Sequence, residues 1–333
     1  MRGQRKIRAI LIAYDLSHIR NATLTEDSLK RIRQAAPGAE LIIFPDKEEW
    51  KRRSSEFAAK VDVVFGHMPD ARIQELPNLR WMQQISTGSD WLIKFPEIAE
   101  SDLILTNDSG ARSVPMAEHI LALMLTLSRG IQVSLRRQVN HIWDRSFKVT
   151  ELNGATLGLI GVGTNGEKMA EKAKAMNMQV FGLRRHPDRS SPYVDRMYGP
   201  EGLMDLLSRS DWVVITAALT PETKEMIGEM QLKVMKESAY IINVARGSMI
   251  QQKALVQALN EGWIAGAGLD VFEKEPLPED SPLWDMENVV ITPHCAAATP
   301  YRLDRVIEIF CENLSRYQVG DSLINVVNKR RGY

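Results

Sequence analysis

Short apolar runs alternate with helical patterns in the first third of the chain. The runs IRAILIA, ELIIFP, VDVVFGH and LRWMQQIS are rich in aliphatic residues, and segments with helical periodicity, 24–35 and 47–59, separate the first three. Continuous apolar strands with helices between them are typical of a parallel sheet that is covered on both faces. The pattern therefore predicts an α/β domain at the start of the chain.

A second series of strand-like runs begins after the middle of the chain. It comprises TLGLIG (156–161), MQVFGL (178–183), DWVVIT (211–216), AYIINV (239–244), IAGAGLD (264–270) and NVVIT (288–292). Helical patterns separate most of these runs, so they predict a second parallel sheet with helices on both faces. The fold class is thus α/β, with two doubly wound domains.

The boundaries between these domains follow from two amphipathic segments. PMAEHILALMLTLSRG opens a stretch from Pro115 to Trp143 that predicts one or two helices, with a proline suited to a helix start. A later segment, YRLDRVIEIFCENLSRYQVG, ends at the stop signal Gly320, and we expect it to pack on the first domain. The predicted domains are 1–109 completed by 300–333, and 110–299.

Composition narrows the kind of ligand and the cellular setting. Lys and Arg number 42 and Asp and Glu 42, so the formal net charge of zero gives no reason to expect nucleic acid as a partner. Cys295 and Cys311 are too few for a disulfide framework and lack the spacing of a zinc pair. The N-terminus resembles a first strand more than a signal peptide, and no run is long enough to span a membrane. We expect a cytoplasmic protein that acts on a small molecule.

A glycine-rich turn follows the first strand of the second series. Gly161, Gly163 and Gly166 form the pattern G-x-G-x-x-G between TLGLI and a helical segment, with Thr164 and Asn165 inside the turn. Such glycines permit a tight turn, a close approach to a pyrophosphate and helix packing on the strand. Free N–H groups and the helix dipole at this point favour a phosphate. The motif predicts a dinucleotide site, although glycine also occurs in plain structural turns.

The next strand ends in positive charge. An NAD-specific site would be expected to place Asp or Glu here, where it binds the ribose 2′-hydroxyl, but this chain has Arg184 and Arg185. Guanidinium groups bind a 2′-phosphate through charge-assisted hydrogen bonds. We therefore predict a preference for NADP(H), with NAD(H) possible; the alternative is a pair of solvated surface arginines.

Arg246, Glu275 and His294 all come soon after the ends of predicted parallel strands. The carboxyl ends of such strands form the ligand crevice of doubly wound folds, so these three side chains are candidates for one reaction centre. Each alone is an ordinary loop residue. Together with a dinucleotide motif they are candidates for an acid, a carboxylate clamp and an orienting base.

The second half of the chain resembles the D-isomer-specific 2-hydroxyacid dehydrogenase family. The resemblance is carried by GVGTNG, INVARGSMIQQKALVQAL, AGAGLDVFEKEPL and TPHCAAAT, and further upstream by SVPMAEHILALML, STGSD and LTPET. These motifs occur in order from about residue 60 onward. Asn165 departs from the pattern, since an apolar residue is common there, and Ala217-Ala218 replace a segment that often contains proline.

The resemblance implies a Rossmann-type nucleotide-binding domain and a flavodoxin-like substrate domain, usually in a homodimer with the active site in the interdomain cleft. It makes His294 the catalytic acid/base, Glu275 its acidic partner and Arg246 the substrate-binding arginine. Backbone N–H groups near Thr87 and Gly88 would hold the substrate carboxylate. Further coenzyme contacts are expected at Ala217, Ala218, Leu219, Thr223, Val244, Ala245, Asp270, His294 and Ala296.

The expected reaction is hydride transfer from NADPH to a small 2-oxo acid, with a proton from His294. Glyoxylate and hydroxypyruvate are the first substrates suggested by the family's NADPH-using reductases, and residues near His67 and Met68 are candidates for sizing the substrate. A metal site is not expected, because His119 and Glu118 show no clustered partners in the sequence. Cys295 is expected to be a small buried residue.

Three alternatives stay open at this point. An NAD-dependent D-2-hydroxyacid dehydrogenase of other substrate range differs only in coenzyme and substrate. A formate dehydrogenase is disfavoured, because the resemblance leads one to expect an amide at position 275. A dinucleotide-sensing corepressor, which binds other proteins, would bind coenzyme without turnover.

Overall fold

The computed structural model describes residues 6–13, 24–44, 47–66 and 71–329. The chain divides into two units: unit 1 comprises Met1–Ala111 and Thr299–Tyr333, and unit 2 is Arg112–Ala298. In the described ranges no helix combines the length and the apolar character needed to cross a membrane.

Each unit is built from parallel strands and the helices between them. The strands are β1 (Ala9–Ala13), β2 (Glu40–Phe44), β3 (Val61–Gly66), β4 (Trp81–Gln84), β5 (Ile104–Thr106), β6 (Thr156–Ile160), β7 (Gln179–Leu183), β8 (Arg196–Tyr198), β9 (Trp212–Ile215), β10 (Tyr240–Asn243), β11 (Gly266–Leu269) and β12 (Val289–Ile291). The helices are α1 (Glu26–Ala35), α2 (Lys47–Phe57), α3 (Pro96–Glu100), α4 (Ser113–Ser128), α5 (Ile131–Val139), α6 (Thr164–Ala175), α7 (Leu203–Arg209), α8 (Glu229–Val234), α9 (Gln252–Glu261) and α10 (Arg302–Val319).

Unit 1 has a five-stranded parallel sheet in the order β2-β1-β3-β4-β5. This is the flavodoxin-like order. Neighbouring residues of β1 point to opposite faces, since Ile10 and Ile12 pack in one core cluster and Leu11 in another. Both faces of the sheet are therefore covered, as the continuous apolar runs predict.

The C-terminal helix α10 belongs to unit 1. Its Phe310 is fully buried, and the Phe310 ring lies 4.6 Å from Phe65 and 5.3 Å from Trp81, centroid to centroid. Gly320 caps the helix in the left-handed conformation with a φ of 76°, which glycine adopts without strain. The last helix thus completes a core that the first strands begin.

Unit 2 has a seven-stranded parallel sheet in the order β12-β11-β10-β9-β6-β7-β8. The chain starts in the centre at β6, runs to one edge through β7 and β8, and then returns to β9 beside β6. Strand order reverses between β6 and β9, and doubly wound sheets of the Rossmann type bind ligands at such a point. Two core clusters cover the two faces of this sheet.

The structure contains two strands that the sequence patterns do not predict. β5 and β8 each span three residues and lie at sheet edges. Short edge strands show little apolar periodicity because only one side of the backbone is paired and the side chains are partly solvated. The two predicted series of strands are otherwise found in the predicted places.

The carboxylate of Asp195 ties β7 to the end of α6. It accepts hydrogen bonds from the Val180 backbone N–H at 2.7 Å and from Lys174 Nζ at 2.9 Å. Burial acts to raise the pKa of Asp195, but these two contacts outweigh it and lower the pKa below its ordinary value of 3.8.

We expect Asp195→Asn to reduce the free energy of unfolding by about 1 kcal/mol at pH 7, a small value because the carboxylate is partly solvated. The contribution of the charged form is complete above the unfolded-state pKa and disappears as the pH falls through the lowered folded-state pKa. Urea unfolding of both proteins at pH 7 and at about pH 3 measures the gap, which narrows at the lower pH. A gap that is equal at both pH values would contradict this account.

Candidate active site

The predicted coenzyme residues lie along one edge of the unit 2 sheet. They occupy the loops that directly follow the carboxyl ends of β6, β7, β9, β10, β11 and β12. A parallel sheet brings these ends together, although the loops are far apart in sequence. Whether each residue contacts a coenzyme stays a prediction.

The glycine turn has the geometry that a pyrophosphate site needs. Gly161 has a φ of 101°, and a Cβ there would approach the Ala217 backbone nitrogen to 2.5 Å. A Cβ on Gly166 would collide with the Gly161 carbonyl oxygen, whereas Gly163 faces open space. Helix α6 begins at Thr164, so its N-terminus opens beside that space. The turn is therefore tightly packed at Gly161 and Gly166 and leaves space for a phosphate at Gly163.

Two side chains from other elements hold this turn. Thr216 Oγ1, after β9, donates a 2.6 Å hydrogen bond to the Gly161 carbonyl. Ser113 Oγ, at the start of α4, donates to Asn165 Oδ1 at 3.0 Å. Asn165, where the family often has an apolar residue, thus has a polar partner of its own.

Arg184 and Arg185 follow β7 and differ in their surroundings. Arg184 is half-buried, and its Nη1 donates to the Arg189 carbonyl at 3.3 Å. Arg185 is exposed, and its Nη2 lies 3.4 Å from Glu222 Oε2. Sequence reasoning missed Glu222, which belongs to the LTPET segment after β9 and has no local signal pointing toward β7.

The loops after β9 and β10 are fixed by their own polar groups. Thr223 Oγ1 donates to the Ala218 carbonyl at 2.8 Å, which closes the segment that includes Ala217 and Leu219. After β10, Val244 and Ala245 are buried, and the Ala245 N–H donates to Asn243 Oδ1 at 3.0 Å.

The structure brings His294 and Glu275 into contact. His294 Nδ1 lies 2.7 Å from Glu275 Oε2, and Glu275 Oε1 accepts the Phe272 N–H at 3.0 Å. The Phe272 backbone thus holds Oε1, and this orients Oε2 toward the imidazole. The His294 side chain is 52% exposed, so solvent reaches the ring. This arrangement suits transfer of a proton at Nε2.

Asp270 anchors the loop that carries His294. Its carboxylate, 1% exposed, accepts hydrogen bonds from Thr292 Oγ1 at 2.6 Å and from the Cys295 and Ala296 N–H groups at 2.9 Å each. Its backbone carbonyl accepts the His294 N–H at 2.9 Å. His294 itself has a φ of 50°, a strained value for a residue with a side chain. The buried carboxylate therefore supports the backbone of the candidate proton donor.

His119 also reaches this group, which sequence reasoning missed. Its Nε2 lies 3.0 Å from Thr292 Oγ1 and 3.6 Å from Asp270 Oδ1, and the ligand atoms of His119, Asp270 and Cys295 lie within 4.8 Å of one another. The expectation that His119 lacks clustered partners is wrong, because α4 packs against the loops after β11 and β12. Cys295 is half-buried, and burial with the nearby Asp270 charge raises the pKa of its thiol.

Arg246 lies on the loop that follows β10. Its neighbour Gly247 packs so closely that a Cβ there would collide with the Phe272 backbone, the same residue that donates to Glu275. The Arg246 guanidinium is exposed and donates through Nη1 to the Ala245 carbonyl at 2.8 Å. Among the described residues it forms no ion pair with Glu275.

The predicted substrate loop belongs to unit 1. Gln84 Nε2 donates to the Gly88 carbonyl at 3.0 Å, and Thr87 Oγ1 donates to Asp108 Oδ1 at 2.7 Å. Within the described part of the chain the Gly88 N–H has no internal acceptor. A rigid loop with a free amide suits a carboxylate ligand. His67 and Met68, candidates for substrate size, lie outside the described residues.

Comparison with known proteins agrees with this geometry. Residues 121–296 match the model of the D-isomer specific 2-hydroxyacid dehydrogenase, NAD binding domain. The chain is also 35% identical over 293 residues to a glyoxylate reductase of Korarchaeum cryptofilum, covering 86% of this chain and 87% of that protein. The chain belongs to the D-isomer-specific 2-hydroxyacid dehydrogenase family.

Two solved structures extend the likeness of this family member over nearly its whole length. A D-isomer specific 2-hydroxyacid dehydrogenase from Xanthobacter autotrophicus, in complex with NADPH and MES, has a TM-score of 0.78 and 29% identity, covering 98% of this chain and 100% of its own. An NADPH-dependent glyoxylate/hydroxypyruvate reductase from Sinorhizobium meliloti, in complex with NADP and sulfate, has a TM-score of 0.79 and 25% identity, with the same coverage. As a D-2-hydroxyacid dehydrogenase, the protein is an oxidoreductase that uses a nicotinamide dinucleotide.

Proposed function

We propose that this dehydrogenase reduces a small 2-oxo acid of the glyoxylate or hydroxypyruvate type to the D-2-hydroxy acid with NADPH. The observation that carries the proposal is the 2.7 Å contact between His294 and Glu275 at the sheet edge that also carries the glycine turn. An imidazole that is held by a carboxylate and half exposed to solvent is suited to general acid catalysis.

His294 donates a proton from Nε2 to the carbonyl oxygen of the substrate. Glu275 accepts from Nδ1, which fixes the orientation of the ring. Arg246 binds the substrate carboxylate and polarises the carbonyl, a task that suits a planar guanidinium. The family resemblance assigns to Thr87 and Gly88 of unit 1 the backbone N–H groups that bind a substrate carboxylate. The reduced nicotinamide, when bound, supplies the hydride.

The coenzyme residues are assigned by their positions along the sheet edge. Gly161, Gly163, Thr164, Asn165 and Gly166 bind the pyrophosphate, and Asp270 orients the nicotinamide end. Arg184 and Arg185 bind the 2′-phosphate. Two neighbours in fold, from Xanthobacter and Sinorhizobium, were solved with NADPH or NADP, which supports this choice of coenzyme. The names of several relatives as glyoxylate reductases support the choice of substrate.

A screen of 2-oxo acids with NADPH and with NADH tests the proposal. The panel contains glyoxylate, hydroxypyruvate, pyruvate and a bulky 2-oxo acid, and oxidation of the coenzyme is followed by absorbance. We expect the highest kcat/KM for a small substrate with NADPH. Coenzyme binding without turnover on any substrate would instead favour a dinucleotide-sensing corepressor.

A second candidate is an NADH-dependent dehydrogenase of the same family. It is favoured by Glu222, whose carboxylate lies 3.4 Å from Arg185 and would repel a 2′-phosphate if the arginine did not screen it. A clear NADH preference in the same screen would select this candidate.

The double substitution Arg184→Ala and Arg185→Ala tests the coenzyme assignment. Because a hydrogen bond to a charged group contributes about 1.5–3 kcal/mol, we expect KM for NADPH to rise by about 10- to 100-fold or more. KM for NADH serves as the control and should stay within about twofold, since it lacks the 2′-phosphate. Equal increases for both coenzymes would mean that the arginines support the local fold.

We propose further that the protein is a homodimer through an apolar arm consisting of Ile131, Leu135, Val139, Ile142 and Trp143. All five are exposed in the single chain, Val139 by 80% and Trp143 by 88%. Exposed apolar side chains that recur along one short segment of the chain are typical of an interaction site, and a second copy is the occupant that the family resemblance implies.

Trp143→Asp should weaken the dimer by at least about 30-fold, since a buried interface Trp contributes about 2 kcal/mol or more. Sedimentation equilibrium over a concentration series measures the change. Met230→Asp, which replaces an exposed apolar residue on α8, is the matched control and should leave the dimer intact. Identical behaviour of the two variants would count against the arm.

A further inference from the structure

His119, Asp270 and Cys295 bring three different kinds of metal-ligating side chain together. One ligand atom of each lies within 4.8 Å of the others. The residues come from α4, from the end of β11 and from the loop after β12, so the fold of unit 2 assembles them. None of the motif assignments above gives a role to His119 or to the Cys295 side chain.

We propose that these three side chains bind a divalent cation of the zinc class. Imidazole nitrogen, thiolate sulfur and carboxylate oxygen are the ligands that Zn²⁺ takes, and three protein ligands with one solvent position form a common zinc arrangement. Mg²⁺ and Ca²⁺ prefer sets of oxygens, so the sulfur and nitrogen select against them.

The spacing of the group is close to what a tetrahedral ion requires. Bonds of about 2.0–2.3 Å place neighbouring ligand atoms roughly 3.3–3.8 Å apart. His119 Nε2 and Asp270 Oδ1, at 3.6 Å, already have this separation. The remaining ligand separations are at most 4.8 Å, so the thiol closes the site with a movement of about 1 Å.

The charge balance at Asp270 also points to a cation. Its carboxylate is 1% exposed, and the groups that donate to it are a hydroxyl, backbone N–H groups and the Cys295 thiol, none of which carries a positive charge. Among the described residues no Lys or Arg pairs with it, and His119 is the basic side chain nearest its oxygens. A buried carboxylate without a cationic partner is costly, and a bound cation offsets that cost.

Solvent access to the group and the position of the His119 ring proton determine how a cation binds. The His119 side chain is 19% exposed and Cys295 is half-buried, so a cation reaches the group from solvent and keeps one position for water. Thr292 gives its hydroxyl hydrogen to Asp270, so His119 Nε2 donates to Thr292 Oγ1. Metal binding shifts the imidazole proton to Nδ1 and exchanges that hydrogen bond for a metal bond.

Binding of Co²⁺ to the full-length protein tests the site without any substrate. After chelator treatment, the wild type should take up about one Co²⁺ and show thiolate-to-cobalt charge-transfer absorption with tetrahedral ligand-field bands. Cys311→Ser, which removes the other thiol of the chain, is the matched control and should show the same spectrum. Cys295→Ser should lose the charge-transfer band, and His119→Gln should weaken binding by at least about tenfold.

Three results would overturn the proposal: no charge-transfer band in the wild type, a band that persists in Cys295→Ser, or a band that disappears only in Cys311→Ser. Thermal unfolding of the apo variants shows whether each is folded. Because this measurement uses no substrate, its failure is distinct from failure of the proposed reductase activity.

Inhibition by Zn²⁺ is the functional consequence, and it rests on the proposed function. The cation would engage the carboxylate that supports the His294 loop, so turnover should fall and recover with chelator. Cys295→Ser should keep its basal turnover and lose most of the sensitivity to Zn²⁺. Equal inhibition of wild type and Cys295→Ser would assign the inhibition to another site.

Discussion

His294→Ala lowers kcat for 2-oxo acid reduction by about 10²- to 10⁴-fold, the usual contribution of a positioned general acid. The dissociation constant for NADPH changes by less than about threefold, because the imidazole acts on substrate and not on the phosphates. Stopped-flow turnover and fluorescence titration of the coenzyme measure the two quantities. The side chain is half exposed, so its removal leaves no buried cavity.

Glu275→Gln should lower kcat less than His294→Ala does. The amide oxygen still accepts from Nδ1 but lacks the negative charge of the carboxylate, so we expect kcat to fall by about 10- to 100-fold. The double variant should lose little more than His294→Ala alone, since both residues act through one proton. If coenzyme affinity fell together with kcat in His294→Ala, the histidine would instead be a structural residue of the loop.

Much of the architecture could be predicted because parallel sheets impose simple patterns. Strands buried on both faces are continuous apolar runs, and each of the longer runs forms a strand where the sequence predicts it. The glycine turn was also predictable, because short-range steric contacts within the turn require glycine at its three positions. The edge strands β5 and β8 lack these patterns and were missed.

The Glu275–His294 contact could be anticipated only in part. Both residues follow strands of one sheet, which places them at one edge but does not fix a distance. The resemblance to a dehydrogenase family supplied the pairing, and the structure gives the 2.7 Å separation.

The group around Asp270 shows what sequence spacing cannot reveal. His119 looks like an ordinary polar residue of an amphipathic helix, because its neighbours in space are strand ends more than a hundred residues away. Glu222 is similar, since only the loop after β9 brings it to Arg185. Contacts between a helix and distant loops depend on tertiary packing. No regular spacing of residues in a single sequence indicates them.

Arg246→Lys should lower kcat/KM for the 2-oxo acid by about 10²- to 10³-fold while the coenzyme still binds. The backbone at this position is fixed independently of the side chain: Asn243 Nδ2 donates to the Arg246 carbonyl at 3.0 Å, and Gly247 packs on Phe272. Substitution therefore removes the planar fork without moving the loop. Lysine keeps the charge but cannot donate two parallel hydrogen bonds to a carboxylate.

Chemical rescue separates this role from a merely structural one. Arg246→Ala should regain part of its turnover when guanidinium is added at millimolar concentration, because the ion can occupy the vacated space and restore the paired donors. Arg209→Lys is the matched control, since Arg209 is an exposed arginine on α7 that pairs with Asp205. It should leave kcat/KM unchanged. If the Arg246→Lys enzyme had the wild-type kcat/KM, the Arg246 guanidinium would not be needed to bind substrate, and His294 and Glu275 would act without it.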